Sequence, residues 1–69
     1  MSKADKMFEE LGYRKEIRYP YIHYINKSVG RSVLDGKIKE YQRHTHATTT
    51  IEEHLAIHEK MKELGWLDE

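Results

Sequence analysis

Near the start of the chain Ala4, Met7, Phe8 and Leu11 recur at the i, i+3, i+4, i+7 spacing, with charged residues filling most of the positions between them. That period commits one face to a core and predicts a short helix over "SKADKMFEELG". Ser2 stands where an N-cap is needed, Asp5 follows at the third helical position as its capping partner, and Gly12 is placed as the C′ glycine. About ten residues do not stay helical alone, so this helix must dock on something.

From Tyr13 to about Arg43 the pattern changes to β-branched and aromatic residues broken by "YP", "NKSVG" and "DG". Strands are predicted near 13–19, 21–27, 31–35 and 37–43. Asp35-Gly36 reads as a two-residue type I′ hairpin, because that dipeptide takes positive φ at little steric cost. Pro20 cannot donate to a ladder, so it separates the first two strands or sits on an edge, and the first strand could be little more than an extended arm.

The helical period returns in "IEEHLAIHEKMKEL". Thr50 and Glu53 form a T-x-x-E capping box, and Gly65 lets the chain turn so that Trp66 and Leu67 fold back. At about 100° per residue, Leu64, Ile57, Met61, His54, His58 and Ile51 share one arc, which is taken as the buried face. The class is therefore α+β: a short N-terminal helix, a small antiparallel meander of three to four strands, and a C-terminal helix packed on one sheet face, all within one domain spanning 1–69. The expected core is Phe8, Leu11, Ile17, Ile22, Tyr24, Leu34, Ile38, Ile51, Ile57, Met61, Leu64 and Trp66.

A chain of 69 residues that is 38% hydrophobic and 35% charged can build only a thin core. It has no cysteine, which removes disulfides and thiolate chemistry and fits a reducing cytoplasm. The opening "MSKADKMFEE" has no apolar run, and no stretch approaches the roughly 20 apolar residues of a membrane span. No membrane association is expected.

Twelve basic residues balance twelve acidic ones, but unevenly along the chain. Residues 13–50 hold eight of the basic residues and all five tyrosines, whereas 51–69 hold six acidic residues against Lys60 and Lys62. A sheet with both helices on one side would leave its other face open. Lys37, Lys39, Tyr41 and Arg43 alternate along the last strand, and they are the expected binding residues of that face. Aromatic and basic residues together suit a host or phage protein as partner, or nucleic acid. The same residues also serve a sheet structurally, since tyrosine is a good strand former and lysine guards edges.

His44 and His46 could share one face of a strand, and His54 and His58 stand i, i+4 on a helix, the spacing by which two imidazoles hold zinc. The set lacks the carboxylate or thiolate that usually completes such a site. The expectation is therefore no metal and no cofactor: His54 packs as a neutral ring, His58 sits at the margin, and His44 and His46 lie in a solvated loop. His23 is expected on a strand surface. Ser28 and Ser32 have no nucleophile elbow around them, the outer carboxylates of the second helix read as solvated charge, and the glycines are dispersed as turn and cap residues. No enzymatic activity is expected.

The segments "ADKMFEELGY" and "TIEEHLAIHEKMKELGW" together resemble small uncharacterised proteins encoded by phages and prophages of Gram-positive bacteria. Those proteins typically show a short helix ending in "LGY", a few strands, and a last helix ending in "KELGW". Where they usually carry leucine on the last helix this chain has His54. The resemblance implies a phage context, a role without catalysis, and no known site. The expected function is that of an accessory protein acting by binding a protein, with nucleic acid as the alternative and zinc binding as the third.

Overall fold

The computed structural model describes residues 2–45 and 49–67. Helix α1 (Lys3–Glu10) is followed by strands β1 (Arg14–Arg18), β2 (Tyr21–Asn26), β3 (Gly30–Asp35) and β4 (Glu40–Thr45), then helix α2 (Ile51–Glu63). The strands form one antiparallel sheet in the order β1-β2-β3-β4. The α+β architecture expected from the sequence is the observed one. The first strand is a full member of it, paired with β2 from Arg14 opposite Ile25 to Arg18 opposite Tyr21. No helix among the described residues is long and apolar enough to cross a membrane.

Both helices close by the same device. Tyr13 N donates to Phe8 O and Gly12 N to Glu9 O after α1, and Trp66 N donates to Met61 O and Gly65 N to Lys62 O after α2. These are the paired bonds of a Schellman motif, with Gly12 (φ 88) and Gly65 (φ 76) in the left-handed region that side chains resist. An aromatic residue follows each glycine and is returned to the core: Tyr13 is buried and Trp66 packs against the cluster. At the helix starts, Ser2 Oγ accepts from Asp5 N, and Thr50 and Glu53 form the full capping box. Asp5 does not complete a box of its own, because its carboxylate is turned toward the sheet and bonds Tyr24 and Lys15.

Strand pairing sorts the side chains into rows. On the helix-covered face, Lys15, Tyr24, Ser32 and Arg43 lie across from one another, as do Ile17, Ile22, Leu34 and Tyr41. Phe8, Tyr13, Tyr24, Leu34, Ala56 and Ile57 form the buried cluster, with the Phe8 and Tyr24 rings stacked at 3.8 Å. Leu11, Ile22, Met61, Leu64 and Trp66 pack around it, as the sequence leads one to expect.

Three expected core residues are not core: Ile17, Ile38 and Ile51 are 64%, 56% and 75% exposed. Ile17 is on the edge strand beside the Tyr19–Pro20 turn, and Ile51 opens α2 on the side away from the sheet. Ile38 is in a turn, because β3 and β4 are joined by four residues, Gly36 to Lys39, instead of two. The Asp35 carboxylate accepts from Lys37 N at 3.0 Å and Gly36 N donates to Pro20 O at 2.8 Å. Those bonds hold the chain in a wider loop whose positive φ falls on Lys39, not on Gly36.

Helix α2 is rotated by roughly 100° from the face its apolar residues predict at ~100° per residue. Its buried residues are Glu53, Ala56, Ile57 and Lys60, whereas His54 is exposed. Glu53 and Lys60 can face inward because each meets a partner there. Glu53 pairs with Arg43 at 2.6 Å, and Lys60 pairs with Asp5 at 3.3 Å and Glu63 at 3.6 Å.

Candidate binding face on the open sheet

Four residues expected on the open face are not there. Lys37 and Lys39 belong to the β3–β4 turn. Tyr41 and Arg43 do alternate onto one side of β4, but it is the side of Leu34 and Ser32, under the helices. Tyr41 packs against the core, and Arg43 Nη2 reaches Glu53. The reason is elementary: cross-strand partners share a face, so a residue opposite buried Leu34 is also turned inward. The five tyrosines likewise divide, with Tyr13, Tyr24 and Tyr41 inside and Tyr19 and Tyr21 outside.

These inward polar groups form two clamps, one at each edge of the sheet. At the β1 edge, Lys15 pairs with Asp5 of α1 at 2.7 Å, and the same carboxylate accepts from Tyr24 Oη and meets Lys60 of α2. Burial works to raise the Asp5 pKa, but the bonds from Lys15 and Tyr24 and the charges of Lys60 and Lys15 outweigh it and hold the group at about 2. At the β4 edge, Glu53 accepts from Tyr13 Oη, Arg43 Nη2 and Thr50 N. Burial opposes ionisation here too and is again outweighed, leaving Glu53 at about 2. Ser32 is buried beneath this clamp and accepts from Tyr41 Oη and Arg43 Nη1. A cleft of about 460 Å³ beside α1 is lined by Asp5, Glu9, Tyr13, Arg14, Lys15 and Tyr24. Its Asp5, Lys15 and both tyrosines are engaged in the clamps just described.

The histidines do not assemble. His44 is exposed on β4, and His54 and His58 are exposed on α2; His46 lies outside the described residues. No group of three side chains able to hold a metal occurs among the described residues. The expectation that His54 packs as a buried ring is therefore corrected, and its cause is the rotation of α2 toward Glu53 and Lys60. His23 is on the sheet surface, as expected.

The face that the helices leave open carries three rows: Arg14, Ile25, Arg31 and His44; Glu16, His23, Val33 and Gln42; Arg18, Tyr21, Asp35 and Glu40. A depression of about 370 Å³ there is lined by Arg18, Tyr21, His23, Arg31, Val33, Gln42 and His44. None of these is acidic. Of the acids on this face, Glu16 is held by Arg18 at 2.5 Å and Arg14 at 3.5 Å, which lowers its pKa, Asp35 caps Lys37 N, and Glu40 stands at the end of the outer row, outside the depression. The His23 pKa is lowered by partial burial and by Arg31 and Arg18, so the ring is neutral near pH 7 and offers one donor and one acceptor. Its ring stands edge-on to Tyr21 at 6.2 Å. Val33 at the middle, two guanidinium groups around it, and Tyr21, His23 and Gln42 as hydrogen-bonding groups make a surface suited to a ligand carrying negative charge.

Strand period alone points to this set once Leu34 is fixed as core, because Arg31 and Val33 must then face the other way. The run of basic residues in the sequence draws attention toward β4 instead. No protein-family model, no curated protein and no solved structure matches the chain.

Proposed function

We propose that this chain is a non-catalytic binding protein whose open sheet face takes an acidic segment of a host or phage protein, in the setting of a phage or prophage accessory protein acting in the bacterial cytoplasm. The observation that carries the reading is the depression at Arg18, Tyr21, Arg31 and Val33, basic and aromatic around an apolar centre and without an acidic wall. Arginine and tyrosine are the residue types that dominate interface energetics, through planar bidentate bonds to carboxylates and large rigid contact area. The phage setting rests on the likeness of "ADKMFEELGY" and "KELGW" to phage-encoded proteins, and the cytoplasm on the lack of cysteine.

A second reading, single-stranded nucleic acid, draws on the same donors, with Tyr21 available to stack a base. Capture from a nuclease-treated host lysate, using the full chain and an Arg18→Glu/Arg31→Glu variant, separates the two. The protein reading requires a nuclease-resistant partner held by the unmodified chain and lost by the variant. A partner that vanishes with nuclease, and an affinity for single-stranded oligonucleotide that falls steeply with salt, would replace it with the second. Equal capture by both chains would exclude the open face altogether.

A further inference from the structure

Helix α2 is apolar on two sides. Ala56 and Ile57 face the core, whereas Ile51 and Leu55, one turn apart, point away from the sheet and are 75% and 50% exposed. Single exposed leucines are ordinary. Here, however, Leu55 borders a groove of about 170 Å³ between the two helices, with Met7 of α1 and the C-cap residue Leu11 on the opposite bank. The two remaining lining residues are Glu10 and Glu52, one on each helix, so an apolar floor lies between acidic banks. Neither lysine of α1 lines the groove: Lys3 opens the helix, and Lys6 stands one turn before Glu10.

We propose that this groove docks a basic amphipathic helix of a partner protein, a contact separate from that of the sheet face. Two helices side by side present a trough into which a third fits lengthwise, its apolar residues at i, i+3 or i+4 entering the floor. Lysine or arginine flanking those anchors would meet Glu10 and Glu52. A second copy of this chain is the wrong occupant. Packing the groove on itself about a two-fold axis sets Glu10 and Glu52 against the same residues of the other copy, and like charges across an interface are repulsive.

The test uses the full chain and two synthetic helices with identical leucine spacing, one with lysine and one with glutamate at all other positions. Isotope-edited NMR is expected to show the leucine–lysine helix shifting Glu10, Leu11, Ile51 and Leu55. Affinity is expected to fall about tenfold or more in Glu10→Lys/Glu52→Lys, from like charge at the banks. Leu55→Gln, at a half-exposed position that preserves the helix, should weaken binding without disturbing the sheet signals, and reads the groove if the charge variant fails to fold. Equal binding of the leucine–glutamate helix, shifts confined to the open sheet face, or no binding would overturn the proposal. So would sedimentation of the unmodified chain as a dimer that Leu55→Gln dissociates.

Discussion

Arg43 Nη2 lies 2.6 Å from Glu53 Oε2, tying the edge strand β4 to the first turn of α2, and both side chains are nearly withdrawn from solvent. The same carboxylate accepts from Tyr13 Oη, while Oε1 accepts from Thr50 N at 3.2 Å. Glu53 therefore caps a helix, orients the aromatic residue that closes α1, and neutralises a strand arginine. A sheet edge, a helix start and a helix end meet at one side chain.

The two partners are not equally replaceable. Without Arg43, Glu53 keeps the Tyr13 hydroxyl and its cap donors. Without Glu53, Arg43 is left with the Ser32 and Tyr41 hydroxyls, and its Nε already has no partner among the described residues. Glu53→Met is expected to destabilise by about 3 kcal/mol or more, and Arg43→Met by less, since an uncompensated buried charge is the costly product. The double methionine variant should recover much of the loss. Urea unfolding of the four proteins checks this, and a double variant no better than Glu53→Met would show that the pair is not the source of the effect.

The clamps also set the acid limit. Asp5 and Glu53 each titrate at about 2 in the folded chain, below the ordinary range of about 3.9 to 4.3 for free carboxylates. A depressed folded pKa means that the unfolded chain takes up protons first. The stabilisation is then complete above about pH 5 and is lost progressively as pH falls toward 2. Urea midpoints should be level from pH 7 to 5 and drop below, and Glu53→Gln should flatten the drop. An unchanged profile in that variant would move the acid sensitivity elsewhere.

What the sequence shows well is local. Ser2, Gly12, the Thr50–Glu53 box and Gly65 are where the chemistry of helix ends puts them, because each bond spans only a few residues. The rotation of α2 is not local. Glu53 and Lys60 count as outward in any hydrophobic pattern, and only Arg43, Tyr13 and Asp5, ten to 55 residues away in sequence, turn them inward. The open face falls between these cases. The "DG" dipeptide points to a turn, but the Asp35 carboxylate and the Pro20 carbonyl select a longer one, and counting Ile38 as core pushes Tyr41 and Arg43 to the wrong side. Pairing Tyr41 with Leu34 corrects both at once.

The exposed imidazole of His54 gives a contrasting expectation. His54→Ala should change stability by no more than about 0.5 kcal/mol, as for other surface positions without a structural partner to lose. Zinc should leave the melting temperature of the unmodified chain unchanged, because a metal held only by the native state stabilises it by RT ln(1 + [L]/Kd). A rise of several degrees on adding zinc would overturn this expectation.

The two helix-ending glycines should respond differently to the same substitution. Both have positive φ, so alanine at either position bears the left-handed penalty of about 1 to 2 kcal/mol. A Cβ at Gly65 would meet nothing within 4 Å, and Gly65→Ala reads that penalty alone. A Cβ at Gly12 would lie 3.1 Å from Asn26 Nδ2. That amide cannot simply swing aside, since its nitrogen donates to Leu11 O at 3.2 Å and its oxygen accepts from Ser28 N and Val29 N. Relieving the contact therefore disturbs the bond that ties the end of α1 to the β2–β3 turn, a further loss of about 1 kcal/mol. Gly12→Ala should accordingly be the more destabilising by that amount in urea unfolding, and removing the amide first, in Asn26→Ala, should bring the two glycine effects together. Equal losses at Gly12 and Gly65 in the unmodified background would mean that Asn26 yields without breaking its bonds.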